Sequence, residues 1–330
     1  MAMTYGDVNQ RTAGYAAAEM LRHAQPKLIL SKMGLTKPLP KNKAEKMIFR
    51  RPVPLLPATT PVVEGVTPSA QKISYVDITV TLKQYGKPLE ITDKVTELSE
   101  DPVMETMSML AGEQAGATIE QVLYGVLKAG TNVFYANGAS RAAVNTVITL
   151  NKQRAVIRAL AAQKAEKITR MLSSGVQYGV SAISAGYIAV AHTDLEADIR
   201  NLAGFVPIEK YGTRTMISES EIGAVESVRY ILSPDLAPFA SAGGAYGGTV
   251  LSSNAAAADV YPVLYFGQDA FAQVPLKGSE AIRPMVLQPG TPSKSDPMAQ
   301  RGYVSWKCWY AAVILNDLWM ARLEVAVSVL

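Results

Sequence analysis

The sequence predicts an α+β fold, in which one long helix and a mixed region are combined with extended strands. Three observations predict it. Apolar and polar residues alternate between Ile73 and Ile91, which is typical of a strand. Apolar residues recur every three or four positions from Met104 to Val126, which indicates a helix. The segment from Asp296 to Leu330 holds all three tryptophans within aromatic and β-branched runs that favour strands.

Composition limits the classes of protein that the chain can represent. With 330 residues and 48% hydrophobic content, it can form one large or two medium domains with real cores. Its one cysteine, Cys308, excludes a disulfide framework. Met1 to Gln10 lacks the basic and apolar pattern of a secretory signal. The uncharged stretches 173–191 and 236–258 are rich in Ser, Gly and Ala, so neither resembles a membrane span.

The positive charge is concentrated at the N-terminus. Residues 1–55 carry ten Lys and Arg against Asp7, Glu19 and Glu45, a net charge of +7, although the whole chain carries only +4. Residues 1–45 are predicted to form an extended arm, with one helix-compatible stretch from Thr12 to Ala24 that Pro26 stops. Such an arm can contact nucleic acid or an acidic protein surface, and a purely solvated arm is an equally good interpretation.

A long two-stranded ribbon is predicted for residues 46–93. Five prolines fall between Arg50 and Pro68, and Glu64-Gly65 is suited to a turn at the tip. Strands are predicted near 46–53 and 73–91. Because an isolated two-stranded ribbon is only marginally stable in water, it must lie on its own domain or on a neighbouring molecule.

Two helices are predicted after the ribbon. Asp101-Pro102 is a favourable start for the first, which ends near Gly130. The second is predicted from Asn151 to about Leu172, with a basic outer face.

Residues 150–284 have a mixed α and β pattern without tandem repeats. Strands are predicted at 187–191, 228–232 and 260–266, and Thr193 and Glu196 form a capping box that opens a short helix. The glycine- and alanine-rich stretch 237–258 is predicted to be a long mobile loop.

A terminal β-hairpin is predicted from two strands, 303–315 and 318–325, joined by a tight turn at Asn316-Asp317. Its bulky side chains need a second layer to cover them. Trp306, Trp309, Tyr310 and Trp319 are therefore predicted to be core residues.

Catalytic chemistry has few candidate residues in this sequence. The only histidines are His23 and His192; His192 and Asp194 could begin a metal site, but no third residue follows at ligand spacing. The glycines between Gly243 and Gly248 lack the Lys-Ser/Thr of a phosphate loop. Cys308 lies in an apolar strand, which predicts an inert thiol. No catalytic, cofactor-binding or metal-binding residue is predicted, and no cofactor.

The order of these parts resembles the Hong Kong 97-type major capsid proteins of tailed bacteriophages. The sequence is also similar to the podophage capsid family related to that of coliphage N4. The stretches that carry this likeness are 64–68, 79–86 with 90–93, 192–194 with 198–200, 204–207, 260–262 and, most specifically, 296–324.

The resemblance implies a domain division and a function. Residues 1–45 correspond to the N-arm, 46–93 to the E-loop, 94–149 to a P-domain with the spine helix, 150–284 to the A-domain and 285–330 to the return strands of the P-domain. Many copies are expected to form pentamers and hexamers that close into an icosahedral shell around double-stranded DNA. The virion capsid, assembled in the host bacterial cytoplasm, is the expected location, with no membrane.

The resemblance also implies partners. The chain is expected to bind other copies of itself, a portal, possible decoration proteins and, because no long segment precedes the arm, a separate scaffolding protein. DNA would be contacted through phosphate charge, not sequence.

The candidates for inter-subunit contacts are Arg50, Arg51, Glu64, Lys72, Lys83 and Lys87. Some capsids of this fold crosslink a lysine to an asparagine, but Asn316 is already explained by a turn, so no crosslink is predicted. Two alternatives stay open: the shell of an encapsulin-like nanocompartment, and a soluble α/β enzyme that uses His192 and Asp194.

Overall fold

The computed structural model describes residues 29–98, 103–173, 179–211, 216–277, 283–287, 289–290, 292, 294 and 296–330. The described helices are α1 (Asp93–Leu98), α2 (Val103–Lys128), α3 (Leu150–Ala162) and α4 (Glu196–Arg200). The described strands are β1 (Leu35–Thr36), β2 (Lys46–Pro52), β3 (Tyr75–Thr81), β4 (Lys83–Thr92), β5 (Val133–Tyr135), β6 (Ile168–Ser173), β7 (Gly179–Ala191), β8 (Phe205–Pro207), β9 (Glu221–Val225), β10 (Val228–Leu232), β11 (Tyr261–Phe266), β12 (Phe271–Pro275), β13 (Arg283–Leu287), β14 (Arg301–Ile314) and β15 (Met320–Val325).

The larger core lies on an eight-stranded mixed sheet. Its strands are ordered β5-β15-β11-β7-β10-β9-β8, and β6 pairs with β7 outside this path. The strands predicted at 228–232 and 260–266 are confirmed as β10 and β11, and every residue of both is buried. Helix α3 covers one face, where Gln153 accepts a hydrogen bond from Tyr230 at 2.8 Å and donates one to Val225 O at 3.1 Å. These bonds satisfy polar groups that burial would otherwise leave unpaired.

The second layer combines a five-stranded sheet with the long helix. The strand order is β1-β12-β14-β13, and β4 pairs with residues 301–310 of β14 outside this path. Helix α2 packs on this sheet through Met107, Ala111 and Ala115, which contact buried side chains of β14. The prediction of one long helix ending near Gly130 is confirmed, while its predicted start at Asp101-Pro102 lies outside the described residues. Among the described residues, no helix is long and apolar enough to cross a membrane.

The predicted terminal hairpin is wrong, although both of its strands exist. Strand β14 pairs with β4, β12 and β13, whereas β15 pairs with β11 and β5 in the other sheet. A tight two-residue hairpin turn needs positive φ at its central residues, and Asn316 is extended, with φ of −148°. Its side chain instead accepts a hydrogen bond from Leu318 N at 3.2 Å, which starts a short 3-10 turn that carries the chain between the sheets.

The second predicted helix is correct only in its first half. Helix α3 ends at Ala162, and residues 168–172, predicted to be helical, belong to strand β6. The helix ends because Lys164 adopts a left-handed conformation, with φ of 56°, and Ala165 N donates back to Leu160 O at 3.1 Å. This is the Schellman geometry, in which glycine is the usual left-handed residue.

The predicted ribbon is shorter than its sequence pattern indicated. The alternating run 73–91 is two strands, separated at buried Leu82: β3 pairs with β2, and β4 pairs with β14.

The predicted arm is also shorter at its C-terminal end. Residues 29–39 belong to the subunit body, because Ile29 and Leu30 are buried and β1 pairs in parallel with β12. Residues 1–28, including the predicted helix at 12–24, lie outside the described residues.

The stretch predicted to be a mobile loop, 237–258, contains no regular helix or strand but is attached to the body by backbone hydrogen bonds. Phe239 N donates to Val260 O at 2.8 Å, and Gly244 N donates to Val144 O at 2.8 Å. A Cβ atom at Gly243 would lie 2.3 Å from Val144 O, so only glycine fits there. Gly243 and Gly244 therefore allow this stretch to pack closely against the backbone of residues 143–144.

Candidate inter-subunit surface

The ribbon formed by β2 and β3 has one face on the subunit and one face in solvent. The two strands pair in antiparallel register from Lys46 opposite Thr81 to Pro52 opposite Tyr75. Met47 and Phe49 pack against the small core around Leu82. Because side chains alternate along a strand, Lys46, Ile48 and Arg50 point outward. Only the base of the ribbon is therefore held by its own subunit.

Beyond this base, every residue from Pro52 to Asp77 is exposed. The segment contains only three charged residues, Glu64, Lys72 and Asp77. Large apolar side chains are exposed along most of its length, namely Val53, Leu55, Leu56, Val62, Val63, Val66, Ile73, Tyr75 and Val76. Leu56 reaches 81% exposure and Val62 72%. Exposed apolar side chains in such number are typical of a surface that contacts another molecule. We call residues 52–77 the ribbon tip.

Arg50 and Asp77 form a forked ion pair across the ribbon. Arg50 Nε and Nη2 donate to the two carboxylate oxygens of Asp77, each at 2.8 Å, and the guanidinium lies 5.5 Å from the centre of the Tyr75 ring. This hydrogen bond lowers the pKa of Asp77 and raises that of Arg50. Both side chains are largely exposed. Arg50, predicted to contact a neighbouring subunit, therefore has its partner within its own ribbon.

The other predicted contact residues do not form a single cluster. Arg51 is half-buried on the ribbon face opposite Arg50. Glu64 and Lys72 lie in the ribbon tip, where Gly65 makes a turn with φ of 77°. Lys83 and Lys87 are exposed on β4, opposite Tyr310 and Trp306 of β14. Whether these six residues contact a neighbour stays a prediction.

The four aromatic residues predicted to be core differ in burial. Trp306 and Tyr310 are buried at 3% and 4% exposure, and Trp319 is half-buried. The prediction is wrong for Trp309, which is 39% exposed. Strand side chains alternate, so Trp306 and Tyr310 face helix α2 while Trp309 points to the other face. Trp306 and Tyr310 have even numbers and Trp309 has an odd one. Alternation along a strand therefore already indicated that Trp309 lies on the opposite face.

The face that carries Trp309 is a further exposed surface that sequence reasoning missed. Met285 and Leu287 of β13 are 42% and 44% exposed and lie opposite Ser305 and Tyr303 of β14 on the same face. Trp309 itself lies opposite the exposed Gln84. We call this the outer sheet face. The outer sheet face could be inferred only once β4, β13 and β14 were known to be neighbours.

His192 and Asp194 have structural partners. His192 Nδ1 accepts a hydrogen bond from Asp194 N at 3.1 Å, so His192, and not the predicted Thr193, caps the turn. Tyr261 donates its hydroxyl to Asp194 Oδ2 at 2.8 Å, and burial followed by this carboxylate raises the pKa of Tyr261. Within the described residues, His192 and Asp194 contact each other and Tyr261, whose ring centre lies 5.4 Å from that of His192. In the same part of the chain, no group of three or more His, Cys, Asp or Glu side chains could hold a metal ion.

Cys308 is buried at 3% exposure, and burial raises the pKa of its thiol. A thiol with a raised pKa is mostly protonated at neutral pH, so it is a poor nucleophile. Both observations agree with the predicted structural role.

Comparison with known proteins identifies the family. A family model described as "Phage capsid protein" matches residues 75–323. Comparison with curated proteins found no significant match.

Solved structures similar to this chain include phage capsids. The capsid of Ralstonia phage GP4 has a TM-score of 0.68 at 12% identity, covering 92% of this chain and 91% of that one. The head structure of Helicobacter pylori bacteriophage KHP40 has a TM-score of 0.61 at 12% identity, covering 99% and 95%. A capsid asymmetric unit of cyanophage Pam1 has a TM-score of 0.59 at 14% identity, with the same coverage of 99% and 95%.

Proposed function

Because the chain belongs to the phage capsid protein family and has the Hong Kong 97-type fold, we propose that it is the major capsid protein of a tailed bacteriophage. Copies of it assemble as pentamers and hexamers into an icosahedral head shell that encloses double-stranded DNA. The virion capsid is its location, and its role is structural, without catalysis. Within this class, the N4-like podophage family is the subtype that the sequence motifs favour.

The exposed ribbon tip is the observation that carries this proposal. Residues 52–77 are exposed throughout and rich in apolar side chains, so leaving them in water is unfavourable by about 25 cal/mol for each Å² of apolar surface. A second copy of the chain can cover them. The surface is offered by a ribbon that projects from its base, so it lies on a neighbour while both subunits keep their folds.

Such a contact propagates. A ribbon that covers a different surface of the next copy makes a heterologous interface, which closes into rings or shells when the subunits are related by a rotation. Each subunit then both gives and receives a ribbon. Many modest contacts of this kind act together, so the assembly is stable even when one contact is weak.

The remaining partners follow from the same proposal. The basic N-terminal segment supplies charge for phosphate contacts that are independent of DNA sequence. A portal, a separate scaffolding protein and decoration proteins complete the head. An encapsulin-like compartment differs in its contents, since it would enclose protein cargo instead of DNA.

Size-exclusion chromatography followed by negative-stain microscopy tests the proposal. The protein is purified alone and after co-expression with the other head proteins of its phage. We expect capsomer rings or closed shells, with nuclease-protected DNA in particles from infected cells. A monomer or small oligomer under every condition would contradict the proposal, and shells filled with one protein cargo would favour the nanocompartment.

A further inference from the structure

A buried carboxylate on the long helix holds the point where the N-terminal segment enters the subunit. Glu120 of α2 is 1% exposed. Its Oε1 accepts hydrogen bonds from Leu30 N at 2.6 Å and Ile29 N at 3.1 Å, and its Oε2 accepts one from Ser31 N at 3.4 Å. We call Ile29–Lys32 the arm root. About ninety positions along the chain separate it from Glu120, so this contact is tertiary.

The arm root needs such an acceptor. A 3-10 turn runs from Leu30 to Lys32, and the first N–H groups of a turn or helix have no partner within it. The residue before the turn, Ile29, makes no side-chain capping bond. Glu120 therefore acts as a cap from another element, and its negative charge suits the positive end of the turn's peptide dipoles.

Apolar packing and a second polar contact fix the same root. Ile29 and Leu30 are buried beside Leu123 and Leu127, which lie on the same face of α2. The side-chain amide of Gln273 on β12 donates to Ser31 O and, at 2.9 Å, to Thr36 Oγ1. The root is thus held between the helix and the five-stranded sheet.

The electrostatic surroundings of Glu120 reflect this contact. Burial raises the pKa of Glu120, the three backbone N–H groups lower it, and Asp235 raises it further. If the arm root detaches, the buried carboxylate loses its hydrogen-bond donors, and an unsatisfied buried charge is strongly unfavourable. The loss of these hydrogen bonds therefore opposes detachment of the arm root.

We propose that Glu120 is a positioning residue for shell assembly: it fixes where, and in which direction, the N-terminal segment leaves the subunit, without contacting a neighbouring copy. A segment with a fixed origin has fewer conformations to lose when it binds another subunit or DNA, so docking favours assembly. Its effect on shells rests on the proposed function, while its effect on the arm root does not.

The first experiment measures the arm root in unassembled, full-length subunits. Trypsin cleavage after exposed Lys32 is compared with cleavage after exposed Lys43, which lies outside the root and serves as an internal reference. Glu120→Ala is expected to increase the Lys32 to Lys43 ratio by about tenfold or more, the change expected for losing a charge-assisted hydrogen bond. Glu120→Gln keeps one oxygen for the two shorter bonds, so an increase of about threefold is expected.

Two controls separate positioning from general stability. Glu113→Gln removes one negative charge from the same helix, and Val228→Ala weakens the buried eight-stranded sheet. Neither is expected to change the cleavage ratio. If Glu120→Ala does not fold, Glu120→Gln with hydrogen exchange of the 29–40 amides gives the same comparison.

The second experiment measures the concentration at which shells form. Glu120→Ala is expected to raise this concentration several-fold. Val228→Ala is expected to leave the concentration unchanged, even if it lowers the melting temperature as much as Glu120→Ala does or more. An unchanged cleavage ratio in both Glu120 variants overturns the anchor itself. Faster cleavage with normal assembly overturns the positioning role. A wild type that never assembles overturns the proposed function, and the cleavage ratio still decides the anchor.

Discussion

The indole of Trp306 donates a hydrogen bond to Gln114 Oε1 at 3.1 Å, which joins the longest strand of the five-stranded sheet to the long helix. The ring is otherwise enclosed by apolar neighbours between α2 and β14, at 3% exposure. Trp309, three residues later, lies on the opposite face of the same strand. The two tryptophans therefore form a matched pair with different expected roles.

Trp306→Ala is expected to destabilise the subunit by about 3 to 5 kcal/mol, because it leaves a large cavity between α2 and β14. Trp309→Ala is expected to cost only about 1 kcal/mol, the ordinary effect of a partly exposed substitution. Urea denaturation of unassembled subunits compares them. Equal losses for both variants would contradict the assignment of Trp309 to the outer sheet face.

Deletion of residues 58–70 tests the ribbon tip. None of its residues belongs to, or packs against, a buried cluster in the described part of the chain, so the variant is expected to stay folded and monodisperse. Shells are expected to be absent, because the apolar surface for the neighbouring copy is removed. Circular dichroism and negative-stain microscopy measure the two effects. Ser69→Ala, at a position that is not a contact candidate, is the control inside the same segment and is expected to assemble normally. Normal shells from the deletion variant would show that the ribbon tip is dispensable.

A charge swap tests whether Arg50 serves its own ribbon or a neighbouring subunit. Arg50→Asp alone places two carboxylates opposite each other at Asp77, so the ribbon is expected to fray and the yield of shells to fall. The double variant Arg50→Asp with Asp77→Arg restores the pair in reverse and is expected to recover most of the yield. Failure to recover it would indicate that Arg50 makes a contact outside its own ribbon.

The stability of the subunit should depend on pH through Glu120. Burial raises the folded-state pKa of this carboxyl above its ordinary value of 4.5, so the folded state binds a proton more readily than the unfolded state. Relative to Glu120→Gln, the wild type should lose stability as pH rises from about 4.5 through the raised pKa, and the difference should level off above it. Melting temperatures of both proteins across this range check the sign. A wild type that gains stability relative to the variant over that window would refute it.

Local signals in the sequence predicted the helices best. Residues 103–128 were predictable because the spacing of their apolar residues is set within the helix itself. The end of α3 was missed because a lysine, Lys164, occupies the left-handed position where glycine is usual. The sequence also predicted strands near 301–314 and 320–325, but it did not predict which strands they pair with.

Pairing depends on distant parts of the chain. Strand β14 pairs with β4, more than two hundred residues earlier, and no local pattern encodes that choice. The same reason explains why sequence reasoning missed Glu120, whose donors lie at Ile29 and Leu30. By contrast, the ribbon tip was predictable in outline, since five prolines between Arg50 and Pro68 already exclude a central strand.

The central claim is that the ribbon tip of one subunit is covered by another copy of this chain. A reconstruction of assembled shells by electron cryomicroscopy, at a resolution that shows side chains, tests it most directly. The account predicts that Leu56, Val62 and Val63, all exposed in the single subunit, are buried against a neighbouring subunit. A ribbon that projects into solvent, or folds back on its own subunit, would contradict it.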